Sequence, residues 1–293
     1  MFSALLRSAQ QLVAGGVFLN SGAIRQNAAG LMSLPAKSPS RPAHSRVGRW
    51  LEPFAASLWV LFIFWTLAMV VVWLGGWGDA ELQQWVKNPD LRGALLWMFN
   101  GMDSGWILLA AANAHFALTS TDGLARARRR ALLTLGSAWL VAACSVWSGL
   151  PLGAVRYTER LGIHLGPVSL GTPFLWFVII AGAAATAAWM LPRASHVQLC
   201  LATGFLSAAS SVNLEPIGWK LRAWWLWYPT DLAPRSWPPV SAYVTWFFVA
   251  AVLAFAQHER DVVRGAMKPP ARLLAIFLLV NAVFLIGHLK QVT

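Results

Sequence analysis

The sequence predicts an all-α fold: a polytopic membrane bundle of about seven transmembrane helices with its N-terminus in the cytoplasm. Three observations carry that prediction. The 293 residues are 57% apolar and only 12% charged, with a mean hydropathy of +0.55, whereas soluble domains are about a quarter charged. The apolar residues are gathered in blocks, each near the ~20 helical residues that cross a ~30 Å hydrocarbon core. The basic residues are distributed unevenly between the connecting segments, as the positive-inside rule requires.

Residues 1–50 hold six Lys or Arg and no Asp or Glu, with Ser, Pro and Gly throughout. They read as a mobile basic tail, or as an organellar targeting segment, which shares that composition. The apolar patch at 12–19 is too short to span. The remainder, 51–293, reads as one membrane domain, with no soluble domain and no repeat of 20–50 residues.

Seven apolar runs follow, at about 54–76, 94–119, 131–149, 170–191, 196–214, 239–257 and 271–289. Backbone amides find no water in lipid, so these runs must be helices. The alternating segments of a β-barrel are absent. With the N-terminus inside, the cytoplasmic segments hold fifteen Lys and Arg and the opposite side holds eight. This places 150–169 and 215–238 together on the non-cytoplasmic face. The net charge of +12 therefore reports orientation, not a nucleic-acid partner. Cys144 and Cys200 both lie in apolar runs and read as small buried residues.

Charged groups inside spans need a reason. Asp103 lies about nine residues into the second run, with Asn100 one turn away on the same face. It reads equally as a buried proton donor facing a cavity or as a carboxylate bonded to a neighbouring helix. Glu215 ends the fifth run in "SSVNLEPIGW". Pro216 disfavours α geometry at Glu215, so the helix is expected to stop there and present a carboxylate at the membrane boundary. In the same run Thr203, Ser207, Ser210 and Ser211 recur at helical spacing, which reads as close helix packing or as a polar lining. His115, His196 and His288 fall on separate spans and form neither a haem pair nor a zinc spacing. No cofactor and no metal is expected. A retinal lysine is missing too, since Lys290 lies at the extreme end of the last run.

The 18 tryptophans exceed what interfacial belts need, and four fall within "GWKLRAWWLW" at 218–227. Read as a helix, this stretch cannot direct Trp224, Trp225 and Trp227 to one side, because successive residues step by about 100°. One of them is expected at lipid or the interface, with Trp225 or Trp227 lining a cavity. In the other loop Gly153 and Gly162 allow a tight turn, Tyr157 is expected to anchor the segment through its hydroxyl, and Glu159 to pair with Arg156 or Arg160.

"PLGAVRYTERLG" (151–162) resembles the signature Pro-Phe-Gly-x-Tyr-x-Tyr-Thr-x-x-Leu-Gly of a bacterial and archaeal membrane family, the carotenoid biosynthesis proteins. That family includes carotenoid 1,2-hydratases of the bisanhydrobacterioruberin type. The match falls at Pro151, Gly153, Tyr157, Thr158, Leu161 and Gly162, with Pro173 and Trp176 fitting beyond the loop. "NLEPIGWKLRAWWLW" (213–227) is similar to the family's Leu-Glu/Asp-Pro segment and its Trp-rich continuation, at Leu214, Glu215, Pro216, Trp225 and Trp227. "WPPVSAYVTW" (237–246) resembles the next piece at Pro239, Tyr243 and Trp246. The chain departs from the family pattern at three places: "VAACSVWS" (141–148) holds no acid, and Ser211 and Ala242 stand where Asp and Asn are usual.

The resemblance implies a carotenoid or other polyisoprenoid substrate in the lipid bilayer of a bacterial inner membrane, and association with other carotenoid enzymes. It implies hydration of a terminal C1–C2 double bond, a hydro-lyase type of reaction. Glu215 ranks first, Asp103 second and Glu159 third as proton donor. Tyr157, Thr158, Trp225, Trp227, Tyr243 and Trp246 are the implied substrate-binding residues. Two other readings stay open: a related cyclase, which begins with the same protonation, and a carotenoid-binding membrane protein without catalysis.

Overall fold

The computed structural model describes residues 46–75, 84–228, 238–257 and 270–292, and contains seven long helices there. These are α1 (Arg46–Gly75), α2 (Pro89–Asp122), α3 (Leu124–Ser148), α4 (Gly171–Met190), α5 (His196–Pro216), α6 (Val240–Gln257) and α7 (Ala271–Val292). Each of the seven apolar runs has become a helix. Among the described residues six of them, all but α2, are long and apolar enough to cross a membrane by length and composition. The outer faces carry exposed Phe64, Leu132, Phe205 and Leu278, as lipid-facing surfaces do and water-facing ones seldom do. Apart from its last five residues, the basic segment 1–50 lies outside the described residues.

Local chemistry explains the helix ends. Asn88 caps α2, its side chain accepting from the amides of Asp90 and Leu91, and Pro89 opens the helix where no amide bond is lost. Gly123, at φ 82°, breaks α2 from α3. Ser195 and Gln198 form a capping box on α5. At 34 residues, α2 is about 51 Å long and overshoots the bilayer core.

α4 is the central helix, packed against α2, α3, α5, α6 and α7. It is apolar on every side, as a helix surrounded by others must be. Gly182 lets the Phe277 side chain of α7 lie where an added Cβ would come within 2.7 Å of it. α5 and α6 pack closely in the same way, since a Cβ on Gly204 would stand 2.7 Å from the Phe247 carbonyl oxygen. In α5, Thr203, Ser210 and Ser211 return their hydroxyls to carbonyls of their own helix. Such bonds satisfy hydroxyls inside an apolar bundle; Ser207 Oγ is buried without a partner among the described residues and Thr203 lines a cavity, so the stripe both packs and lines.

The expected helix stop at Glu215 does not occur. α5 runs through Pro216 into a wide π turn, Ile217–Leu221, closed by Arg222 N–H on the Ile217 carbonyl at 2.8 Å. Proline removes one backbone donor and crowds the preceding turn, and the wider turn accommodates both without ending the spiral.

Candidate functional site

The two segments that interrupt the apolar pattern meet at one end of the bundle. β1 (Val155–Tyr157) pairs antiparallel with β4 (Trp225–Trp227), in the register Val155 to Trp227 and Tyr157 to Trp225. Thr158 extends the ladder, its amide donating to the Trp224 carbonyl at 3.0 Å and its hydroxyl to that of Ala223 at 2.6 Å. At the other end the Tyr228 amide donates to the Ala154 carbonyl at 2.9 Å. A second small ladder, β2 (His164–Leu165) with β3 (Val168–Ser169), leads into α4.

Side chains from the helices hold the segment down. Leu152 N–H donates to Ser145 Oγ at 3.0 Å, and Ser241 Oγ donates to the Leu152 carbonyl at 3.0 Å. Two glycines permit the close approaches. A Cβ on Gly153, at φ 115°, would stand 2.5 Å from Pro239, and one on Gly218 would stand 2.4 Å from the Trp225 ring. The 148–177 stretch is thus a fixed cap and not a slack connection.

Beneath the cap lies a cavity of about 20 Å³ bounded by Tyr157, Trp176, Trp225, Trp227, Trp246 and Glu215, with Leu152, Thr172 and Leu175 completing the wall. That is room for about one water molecule. Trp176 and Trp246 stack at 3.8 Å and 18°. Tyr157 meets Trp225 edge-on at 6.4 Å.

Glu215 is only 2% exposed. Its Oε2 accepts from Trp225 Nε1 at 3.0 Å and from Trp227 Nε1 at 3.1 Å. Among the described residues Oε1 takes no hydrogen bond and no cation pairs with the carboxyl. Alternation along a strand, two residues per period, brings both indoles onto this one acid. The expectation that one of Trp224, Trp225 and Trp227 faces lipid is therefore wrong: all three are buried, at 0%, 5% and 2% exposure. It assumed a helix where the chain forms a strand.

Trp224 turns the other way. Its indole N–H and Arg222 Nε both donate to Asp103 Oδ2 at 2.7 Å. Asp103 thus ties down the chain leading into β4 through Oδ2, though its partners are not on a neighbouring helix as expected, while its buried Oδ1 has no partner among the described residues. Asp103 lies fourteen residues beyond Pro89 in α2, yet the 3-10 turn Glu159–Leu161 reaches that level, where Gly162 meets Ser104. The 3-10 turn therefore packs on the flank of α2, about 21 Å from its start.

The remaining sequence candidates separate. Glu159 is exposed on the turn, and the described ion pairs join it to neither Arg156 nor Arg160, contrary to expectation. Thr158 fastens backbone and does not line the cavity. Tyr243 is half-buried on α6, outside the lining. Tyr157 anchors through its strand and its ring, not through its hydroxyl, for which no hydrogen bond is found among the described residues. Burial, and behind it the charge of Glu215, push its phenol well above the ordinary tyrosine range, so it stays neutral at any working pH. Sequence reasoning did not assign a role to Trp176, Arg222 or Trp224. Trp176 lay within the matched motif, whereas Arg222 stood 119 positions from its partner with no local signal.

A family model described as "Carotenoid biosynthesis protein" matches residues 103–291, more than half of the chain. The match begins at Asp103 and takes in both cap segments and the whole cavity. No curated protein and no solved structure matches the chain.

Proposed function

The chain belongs to the carotenoid biosynthesis protein family, and from that premise we propose that it hydrates a terminal double bond of a polyene, with Glu215 as the proton donor. The family supplies the substrate class, a carotenoid or other isoprenoid, and the six apolar helices supply the bilayer in which such a molecule dissolves. One observation carries the reaction type: a buried carboxyl whose neighbours are indoles, with both indole N–H groups on one oxygen.

The chemistry balances without an oxidant. The π electrons of the terminal alkene take the proton from Glu215 Oε1, forming a C–H bond at the less substituted carbon and a tertiary cation next to it. Electron-rich faces of the surrounding tryptophans stabilise that cation. Water oxygen adds to the cation, and its surplus proton returns to Glu215. The net change is one water added per double bond. Trp225 and Trp227 meanwhile hold Oε2, which leaves Oε1 to carry the mobile proton. Positioned general acids contribute about 10²–10⁴-fold, and a carboxylic acid walled by apolar groups suits that role. Asp103 is less suited, because a guanidinium already neutralises it. Cyclisation shares the first step and differs in what captures the cation; the cavity holds about one water and no alkene as it stands, so the substrate end enters only as the indoles around it separate.

The site is expected in a bacterial inner membrane, with the cap on the non-cytoplasmic side. Expression in cells that make lycopene, followed by pigment analysis of the membranes, tests the reading. A tertiary alcohol at a chain end supports it. Cyclised ends, or bound but unaltered lycopene in the purified protein, would replace it with cyclisation or with binding alone.

A further inference from the structure

The cavity beside Glu215 suits a water by size and by chemistry. Its volume of about 20 Å³ is room for one. A buried water typically makes about three hydrogen bonds, to polar groups that otherwise lack partners. Among the described residues of the wall, three side chains carry an oxygen: Glu215, Tyr157 and Thr172. The others are leucines and tryptophans, and an indole can only donate. Glu215 Oε2 is already taken by two indole N–H groups. The Tyr157 phenol stays protonated, so it can donate to a water and cannot relieve it of a proton. Thr172 is left as the hydroxyl that can accept.

Its surroundings prepare it for that role. Thr172 Oγ1 lies 3.0 Å from Ser169 Oγ, and both residues are buried. With the Thr172 hydrogen turned to Ser169, the Oγ1 lone pairs are free to accept from a water. Thr172 stands in the first turn of α4 beside Gly171, on which a Cβ would come within 2.7 Å of the Leu161 carbonyl oxygen. The close-packed start of the central helix thus carries the hydroxyl. It does not depend on β4, which carries Trp225 and Trp227.

We propose that Thr172 is a second catalytic residue, holding the nucleophilic water through its hydroxyl, with Ser169 as the positioning residue behind it. The inference rests on the hydration reading of the site. One O–H of the water is given to Thr172, and the other to Glu215 once that acid has protonated the alkene. A lone pair of the water oxygen forms the C–O bond to the tertiary cation. The O–H bond facing Glu215 breaks, and its proton passes to the carboxylate. Thr172 neither gains nor loses a proton. A cation that meets no held water has another course: it returns a proton to Glu215, and the C–H electrons re-form a double bond. Thr172 therefore decides whether protonation ends in alcohol or in alkene.

The test measures both outcomes. Membranes holding each variant are given lycopene in heavy water, and the alcohol and the recovered hydrocarbon are weighed separately. Thr172→Val keeps the shape and removes the hydroxyl. It should lower alcohol formation about tenfold while deuterium accumulates in the recovered hydrocarbon above the parent's level. Thr172→Ser should restore the parent's ratio. Ser169→Ala leaves the cavity wall untouched and should shift the ratio the same way. Parent-like yield and ratio from Thr172→Val, or from Ser169→Ala where the valine variant does not fold, would overturn the proposal. Loss of alcohol with no deuterium in the hydrocarbon would overturn it too, since that result belongs to Glu215→Gln and to a collapsed site. If the parent protein yields no alcohol, the hydration reading fails and the water assignment falls with it, an outcome distinct from the other two.

Discussion

Glu215 and Asp103 are both buried carboxylates, and their partners give them different work. Asp103 carries a guanidinium and an indole on one oxygen, the surroundings of a standing negative charge. Glu215 has neutral indoles only, which suits a proton that comes and goes. Glu215→Gln keeps the size and removes the titratable proton, so conversion should fall by at least about 10²-fold while the protein folds and keeps its polyene. Asp103→Asn leaves Arg222 without its counter-charge inside the bundle, and a loss of about 3 kcal/mol in unfolding stability is expected. If activity of Asp103→Asn vanishes with stability intact, Asp103 has the role assigned to Glu215. Glu215 stood out in the sequence because Leu-Glu-Pro is contiguous. The partner of Asp103 did not, because nothing near position 103 points to Arg222.

At the scale of elements, the site depends on two short strands meeting beneath a wide helical turn. The ladder fixes Tyr157 opposite Trp225, and the π turn swings the chain so that Trp225 and Trp227 come back over Glu215. Gly218 is the hinge of that return. Gly218→Ala would put a Cβ 2.4 Å from the Trp225 ring and should displace the strand, lowering conversion and tryptophan order together. Gly153→Ala adds a strained φ to a 2.5 Å approach to Pro239, a cost of about 1–3 kcal/mol. Gly136→Ala on α3, where no atom lies within 4 Å, should instead stabilise by about 0.5–1 kcal/mol. Thermal unfolding of the three variants separates these outcomes. The helices were readable because each is a long block of one character. The β1–β4 pairing was not, since a three-residue alternation such as Trp-Leu-Trp is too short to distinguish from one face of a helix, and the two strands lie about 70 positions apart.

For the whole molecule, the described residues form seven long helices with one capped end, and the candidate site lies buried beneath that cap. The charge count predicts that this end is non-cytoplasmic. A cysteine introduced at Ile163, 79% exposed on the cap, in a chain with Cys144 and Cys200 changed to Ser, should react with an impermeant maleimide added to intact cells. Reaction only after permeabilisation would reverse the orientation. The central claim, alkene protonation by Glu215 followed by capture of water, is tested most directly by isotope content. Membranes holding the parent protein or Glu215→Gln would be given lycopene in heavy water, and in parallel in ¹⁸O-water, and the products weighed. The parent should yield an alcohol with one deuterium fixed on carbon next to the carbinol and with its oxygen drawn from water, while Glu215→Gln yields neither. An alcohol without carbon-bound deuterium, a deuterated product lacking oxygen, or equal labelling by the Glu215→Gln protein would contradict it.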